Sequence, residues 1–323
     1  MRQKIVHLLT VAAAFAALAV APAFAQEEWQ SITDDVSRSE LFATGIRPGA
    51  EPMDPSQQSF ALNGPFVFPY NARIDLGVRR TNSIFGIDVS HHNSADPRCT
   101  APVDPHREID FGTLRLQEVR FVYVKASQGV GYRDCRFVEY WKSLGELPDH
   151  GRVLRGAYHF LSASRDGADQ AATYVRLINQ NGGFLPTDMP PAVDLEWDKA
   201  STDGPDRWTG KTPREIIDSA LAWLRAVEAA SGRKPVIYTA RAWWRERGIP
   251  ESMFAEFDSY VLWIADYKQS RRAVEAPATP GAARWGMWQF AEDARVQGHG
   301  RGLDASIFKG TEEEFIHQMG LED

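Results

Sequence analysis

Cysteine is nearly absent: the 323 residues contain two, Cys99 and Cys135. Neither has a second cysteine or a histidine at zinc-finger spacing, which excludes a structural zinc site of that kind. Positive charge is also in deficit, with 36 Lys+Arg against 43 Asp+Glu and a formal net charge of −7. Such a surface suits neither nucleic acid nor an anionic membrane. Gly-x-Ser-x-Gly is missing, so a Ser-His-Asp triad has no nucleophile elbow. Where a doubly wound sheet needs a Gly-rich phosphate turn after its first strand, this chain has Ser90-His-His-Asn93. No terminal repeat array is present to anchor the chain to an extended polymer.

The N-terminus carries an export signal. Arg2 and Lys4 give a basic start, an apolar run extends from Ile5 to Ala21, and Ala23-Phe-Ala25 forms a small-x-small cleavage site before Gln26. The run is short and Ala-rich, unlike a membrane span of about 20 strongly apolar residues. Residues 1–25 therefore read as a signal peptide, and the mature protein as exported, periplasmic or extracellular, with no stable membrane insertion. Cleavage leaves 34 Lys+Arg against 43 Asp+Glu, a formal charge of −9. In an oxidising compartment an isolated cysteine pair reads as a disulfide. Oligomeric state has no sequence signal here.

Residues 26–80 carry scattered Pro, Gly, Ser, Asp and Gln without periodicity and read as an extended or poorly ordered segment. From 81 to 315 the texture is that of one barrel, followed by a short tail over 316–323. Eight apolar runs predict strands at 84–89, 120–126, 153–160, 191–196, 235–239, 260–265, 284–290 and 303–308. Several are apolar on both faces, as parallel strands buried on both sides should be. The clearest helix is 213–230, with a Thr212/Glu215 capping box, Pro213 at its first position and Gly232 after its end. Ile217, Leu221, Leu224 and Val227 form its inner face. A second helix over 166–180 turns Ala171, Ala172, Val175 and Ile178 inward. Helix patterns weaken after 265. About 240 residues with eight strands and alternating helices predict a single (β/α) barrel.

The chemistry centres on Pro190-Pro-Ala-Val-Asp-Leu-Glu-Trp-Asp198, an apolar strand ending in two carboxylates. Residues i and i+2 of a strand share a face, so Asp194 and Glu196 project side by side. A carboxylate pair raises one pKa and sets a proton donor beside an anion, as glycosidic cleavage requires. Asp88 near the end of the first strand and Asp304 in the eighth would join them at the barrel mouth, where such barrels hold their active sites. Burying four acids for structure alone would be costly. Tyr123, Tyr158, Phe160, Trp197, Tyr238, Trp263, Tyr267, Trp285 and Trp288 cluster near the strand ends. Some would stack on sugar faces, and more than half would be packing. Trp243 and Trp244 read as rim or packing residues. His91 and His92 are adjacent and lack a third ligand, so they do not make a metal site. His159 reads as a hydrogen-bonded core residue, and Lys125 as a partner for one of the acids.

In this order the motifs Phe85-Gly-Ile-Asp-Val-Ser90, Phe121-Val-Tyr-Val-Lys-Ala-Ser127, Gly156-Ala-Tyr-His-Phe160, Pro191-Ala-Val-Asp-Leu-Glu196, Pro235-Val-Ile-Tyr-Thr239, Leu262-Trp-Ile-Ala265, Trp288-Gln-Phe290 and Gly302-Leu-Asp304 resemble the glycoside hydrolase family 25 lysozymes, which are N-acetylmuramidases. The resemblance covers about 84–310 and implies a modified barrel of the (βα)5β3 kind. It implies cleavage of the β-1,4 bond between N-acetylmuramic acid and N-acetylglucosamine in peptidoglycan, with no cofactor or metal. Glu196 would be the general acid and Asp194 would support a 2-acetamido nucleophile. Asp88 and Asp304 would complete the cluster, and Tyr158, Tyr238, Trp263 and Gln289 would hold the sugar. Direct attack by water also fits a carboxylate pair. Two other readings are a hydrolase of another 2-acetamido glycan such as chitin, and a non-catalytic glycan-binding barrel. The chain departs from the family pattern in four places: an insertion from Ser94 to Glu108 that contains Cys99, Gln128 where Glu is common, Ser306 where Asn is common, and the 26–80 segment. A Cys99–Cys135 bridge would tie the two upper loops together. Thiol titration of the purified native protein should find no reactive thiol, and two would exclude the bridge.

Overall fold

The computed structural model describes residues 65–75, 78–79, 82–100, 108–149, 152–281 and 283–321. The expected signal peptide and most of 26–80 lie outside these residues. Among those described, no helix is long and apolar enough to cross a membrane.

All eight strands form within two residues of their expected starts: β1 (Ile84–Val89), β2 (Val119–Gln128), β3 (Leu154–Phe160), β4 (Ala192–Leu195), β5 (Val236–Ala240), β6 (Val261–Ala265), β7 (Trp285–Ala294) and β8 (Leu303–Phe308). β1 to β7 run parallel in sequence order. β8 is antiparallel to both β7 and β1, and its pairing with them closes the barrel. The connection from β7 to β8 is too short for a helical crossover. A direct return can only reverse the strand, since a parallel return needs a crossover of a dozen or more residues. The result is a closed α/β barrel of the modified TIM type.

Helices α1 (Phe137–Gly145), α2 (Gly167–Gln180) and α3 (Pro213–Ser231) wrap the β2-to-β5 side. α3 has the anticipated reciprocal capping box, with Thr212 accepting from the Glu215 N–H. Its Ile217, Leu221, Leu224 and Val227 are all buried. α2 differs from expectation. Gln170, Ala171, Tyr174, Leu177 and Ile178 face inward, Ala172 is exposed and Val175 only half buried. The helical period puts 171, 174 and 178 on one line and rotates 172 and 175 away from it.

Two glycines make room in the barrel. A Cβ on Gly86 would lie 2.1 Å from the Phe121 ring, and one on Gly156 would lie 2.4 Å from the Tyr123 ring. These β2 aromatics therefore fill the lower interior through gaps left by β1 and β3. The expected tail is partly helical. Thr311 and Glu314 form a capping box for α4 (Glu312–Gln318), and Phe315 plugs the lower end against Phe121 and Phe308. Phe66 and Phe68, within the segment expected to be extended, are buried against Phe85 and Phe290.

His159 points outward from β3 into the helix layer, as a core histidine. Its ring nitrogens contact Ser127 Oγ at 2.8 Å and Gln170 Oε1 at 3.2 Å, and it stacks on Trp223. Burial pushes its pKa down to about 3. The unfolded chain therefore binds this proton first, and stability is lost as pH falls from about 6.5 toward 3, at up to about 1.4 kcal/mol per pH unit. Urea unfolding across pH 7 to 4 should show that slope, and His159→Gln should remove its share of it.

Candidate active site

The four expected acids stand at one end of the barrel. Asp88 is the penultimate residue of β1. Asp194 is the third residue of β4, and Glu196 follows that strand's end. Asp304 is the second residue of β8 and pairs directly with Asp88. Because β8 is reversed, its beginning lies at the same end as the C-termini of the others. Directly paired antiparallel residues point to the same face, so the two aspartates share one side of the mouth. Asp194 sits level with Phe160 on β3 and Tyr238 on β5. Asp88 is 2 % exposed, and Asp194 and Glu196 are fully buried.

Gln289 connects the acids to the aromatic floor. Its Oε1 accepts hydrogen bonds from the Tyr238 hydroxyl at 2.7 Å and the Tyr267 hydroxyl at 2.5 Å. Two donors on one oxygen fix the amide's orientation, so Nε2 faces Asp88 and donates to its Oδ2 at 2.6 Å. A donated N–H holds Asp88 Oδ2 in place as an acceptor. Beneath this, Trp263 lies 5.0 Å from Tyr123 and 5.1 Å from Tyr238, ring centre to ring centre, and its indole N–H donates to Ser306 Oγ at 2.9 Å. Ser306, one of the departures from the family pattern, thus serves as the acceptor for a buried indole. Trp263 and Tyr238, paired across β6 and β5, are aromatic neighbours of the acids inside the barrel. Tyr158 is 5 % exposed on the same inward row of β3.

A bulge in β2 places the barrel's cation. Lys125 pairs with Tyr158, and Ser127 with His159, so one residue on β2 is extra. The bulge puts Lys125 and Gln128, three apart, on the same face. The ammonium donates to Gln128 Oε1 at 3.0 Å and lies over the Tyr132 and Phe160 rings. Lys125, expected to pair with one of the acids, has the neutral Gln128 among its partners.

Several residues were not assigned from sequence. Tyr267 reaches Gln289 only because Ala265 pairs with Gln289 across β6 and β7. Asp198 latches two loops: it accepts from Ser162 Oγ, the Ala163 N–H and Arg207. Among the aromatics, Trp197 donates to Glu246, Trp288 donates to the Asp266 carbonyl, and Trp243 and Trp244 pack against Trp208, Phe254 and Phe257. Trp285 begins β7 at the opposite end, under Lys309, and takes no part in the mouth.

The upper loops are tied together. Cys99 and Cys135 form a disulfide with Cα atoms 6.3 Å apart. Close by, Asp134 accepts from the His91 backbone N–H at 3.1 Å and contacts His91 Nδ1 at 2.8 Å. Buried Glu108 takes hydrogen bonds from Ser94 and Tyr140. Ligand atoms of His91, Asp134 and Cys135 lie within 4.8 Å of one another, but the Cys135 sulfur is committed to the bridge, so the cluster is an anchor for these loops.

The sequence model of the glycosyl hydrolases family 25 matches residues 87–299. The Escherichia coli O157:H7 protein YegX is 31% identical over 235 residues, 72% of each chain. Lysozyme M1 of Streptomyces globisporus is 26% identical, over 73% of this chain and 71% of its own. The solved structure of the bacterial lysozyme from Streptomyces coelicolor superposes with a TM-score of 0.59 at 24% identity, over 75% of this chain and 99% of that one.

Replacing Gln289 by the similarly shaped Met removes the donor to buried Asp88. It should cost about 1.5–3 kcal/mol, read as a lower urea midpoint with an unchanged m-value. An unchanged midpoint would mean that this hydrogen bond does not support the fold.

Proposed function

The chain belongs to glycosyl hydrolases family 25 and is a glycoside hydrolase of the lysozyme kind, and from that premise we propose that it is an exported muramidase in which Glu196 is the general acid. The observation that carries the reading is the placement of Asp194 and Glu196 at the end of β4, at the same barrel end as the paired Asp88 and Asp304. The substrate is the β-1,4 bond between N-acetylmuramic acid and N-acetylglucosamine. Relatives with lysozyme and muramidase names support this choice, as does the acidic, floor-lined mouth.

In the proposed mechanism the Glu196 carboxyl gives its proton to the glycosidic oxygen as the C1–O bond breaks. The carbonyl oxygen of the substrate's own 2-acetamido group closes on C1 from the other face. Asp194 accepts from the acetamido N–H and stabilises the positive charge that develops there. Water then opens the cyclic intermediate, and Glu196 takes back a proton from it, so the acid is restored. Asp88 and Asp304 complete the negative field around the oxocarbenium-like centre. Gln289 and Tyr238 hold Asp88 in position, and Tyr158 and Trp263 shape the space for the sugar.

Glu196→Gln should lower the rate by about 10²- to 10⁴-fold while thermal unfolding stays close to wild type. Retained activity would remove Glu196 from the acid role. Mass spectrometry of peptidoglycan digests should find reducing-end muramic acid. Reducing-end glucosamine would indicate a glucosaminidase, and an anhydro product a lytic transglycosylase. Parallel incubation with chitin should yield no comparable product.

A further inference from the structure

Beside the mouth, a cavity of about 400 Å³ opens between the helix that follows β5, the loop that follows β6 and the upper end of β7. Its charge differs from that of the acidic chain as a whole. Arg241 is neutralised by Glu251, and Arg271 by Asp266. Arg245 and Lys268 also line the cavity, are exposed, and make no ion pair among the described residues. Facing them is Glu292, whose Oε2 is buried without a hydrogen-bond partner among those residues. Burial raises the Glu292 pKa, and Asp293 raises it further. A cation at Oε2 would relieve both effects.

The cavity shares a wall with the acid cluster. Tyr267 lines it and donates to Gln289, which donates to Asp88. A ligand group here would therefore be separated from Asp88 by two side chains, Tyr267 and Gln289. It would have to be anionic enough for Arg245 and Lys268 and to carry an amine for Glu292. A bare N-acetylated glycan has neither charge, but the peptide stem on muramic acid carries carboxylates and a diamino acid.

We propose that this cavity is a binding site for the peptide stem of peptidoglycan, with Arg245 and Lys268 holding stem carboxylates and Glu292 the diamino-acid ammonium. The inference rests on the muramidase reading and makes peptide-substituted glycan the preferred substrate. The site selects by charge, so its effect belongs in KM and falls with added salt.

The test compares wild type with Arg245→Glu/Lys268→Glu and with Glu292→Gln on intact peptidoglycan and on the same polymer stripped of stems by an amidase. On intact polymer the double variant should raise KM by about tenfold or more, the scale of one lost charge-assisted contact, with kcat maintained. On stripped polymer its KM should match wild type. An unchanged KM on intact polymer, or an equal rise on both, overturns the proposal. Binding is read without cleavage by NMR titration of wild type with the free stem tetrapeptide. Shifts at Arg245, Lys268 and Glu292 that the double variant lacks support the site, and their absence in wild type overturns it. Stem binding by a protein that cuts neither polymer would instead overturn the muramidase reading.

Discussion

The reversed pairing of β8 between β7 and β1 is the constraint on which the rest depends. Without it the sheet would have two open edges, each a row of unpaired backbone groups. With it, every barrel strand has two neighbours. The reversal also has a chemical consequence. A parallel eighth strand would carry Asp304, its second residue, to the closed end. The antiparallel strand puts Asp304 opposite Asp88 at the mouth.

Below the acids the barrel is filled tightly enough to hold them still. Gly86 and Gly156 leave the gaps in which Phe121 and Tyr123 sit, and Phe315 closes the floor from beneath. Above that apolar plug comes a polar layer whose members orient one another, from the tyrosine hydroxyls through Gln289 to Asp88. Buried polar groups need such partners, and here the same bonds aim a carboxylate. Side chains on rigid strands above a packed floor hold a fixed geometry better than side chains on loops.

Two of the departures from the family pattern lie at the rim. The described ends of the 94–108 insertion are held by the disulfide at Cys99 and by Glu108, which accepts from Ser94 and Tyr140. Gln128 gives Lys125 a neutral acceptor where an acid is common. Both changes leave the four acids in place and alter what surrounds them.

The sequence by itself determined the elements. Eight apolar runs, a capping box at Thr212 and Glu215, and the Asp194-x-Glu196 spacing each depend on near neighbours, and local periodicity carries that information. It misplaced Ala172 and Val175 because the inner face of α2 is chosen by the sheet beneath it. It read the end of the chain as a tail because the burial of Phe315 depends on Phe121, almost 200 residues earlier. Only the tertiary structure decided that Tyr267 meets Gln289, that a bulge turns Lys125 toward Gln128, that Trp285 belongs to the far end, and that Asp304 faces Asp88. The reason is the same in each case: strand direction and register are set by pairing between distant segments, and a shift of one residue turns a side chain from one face to the other.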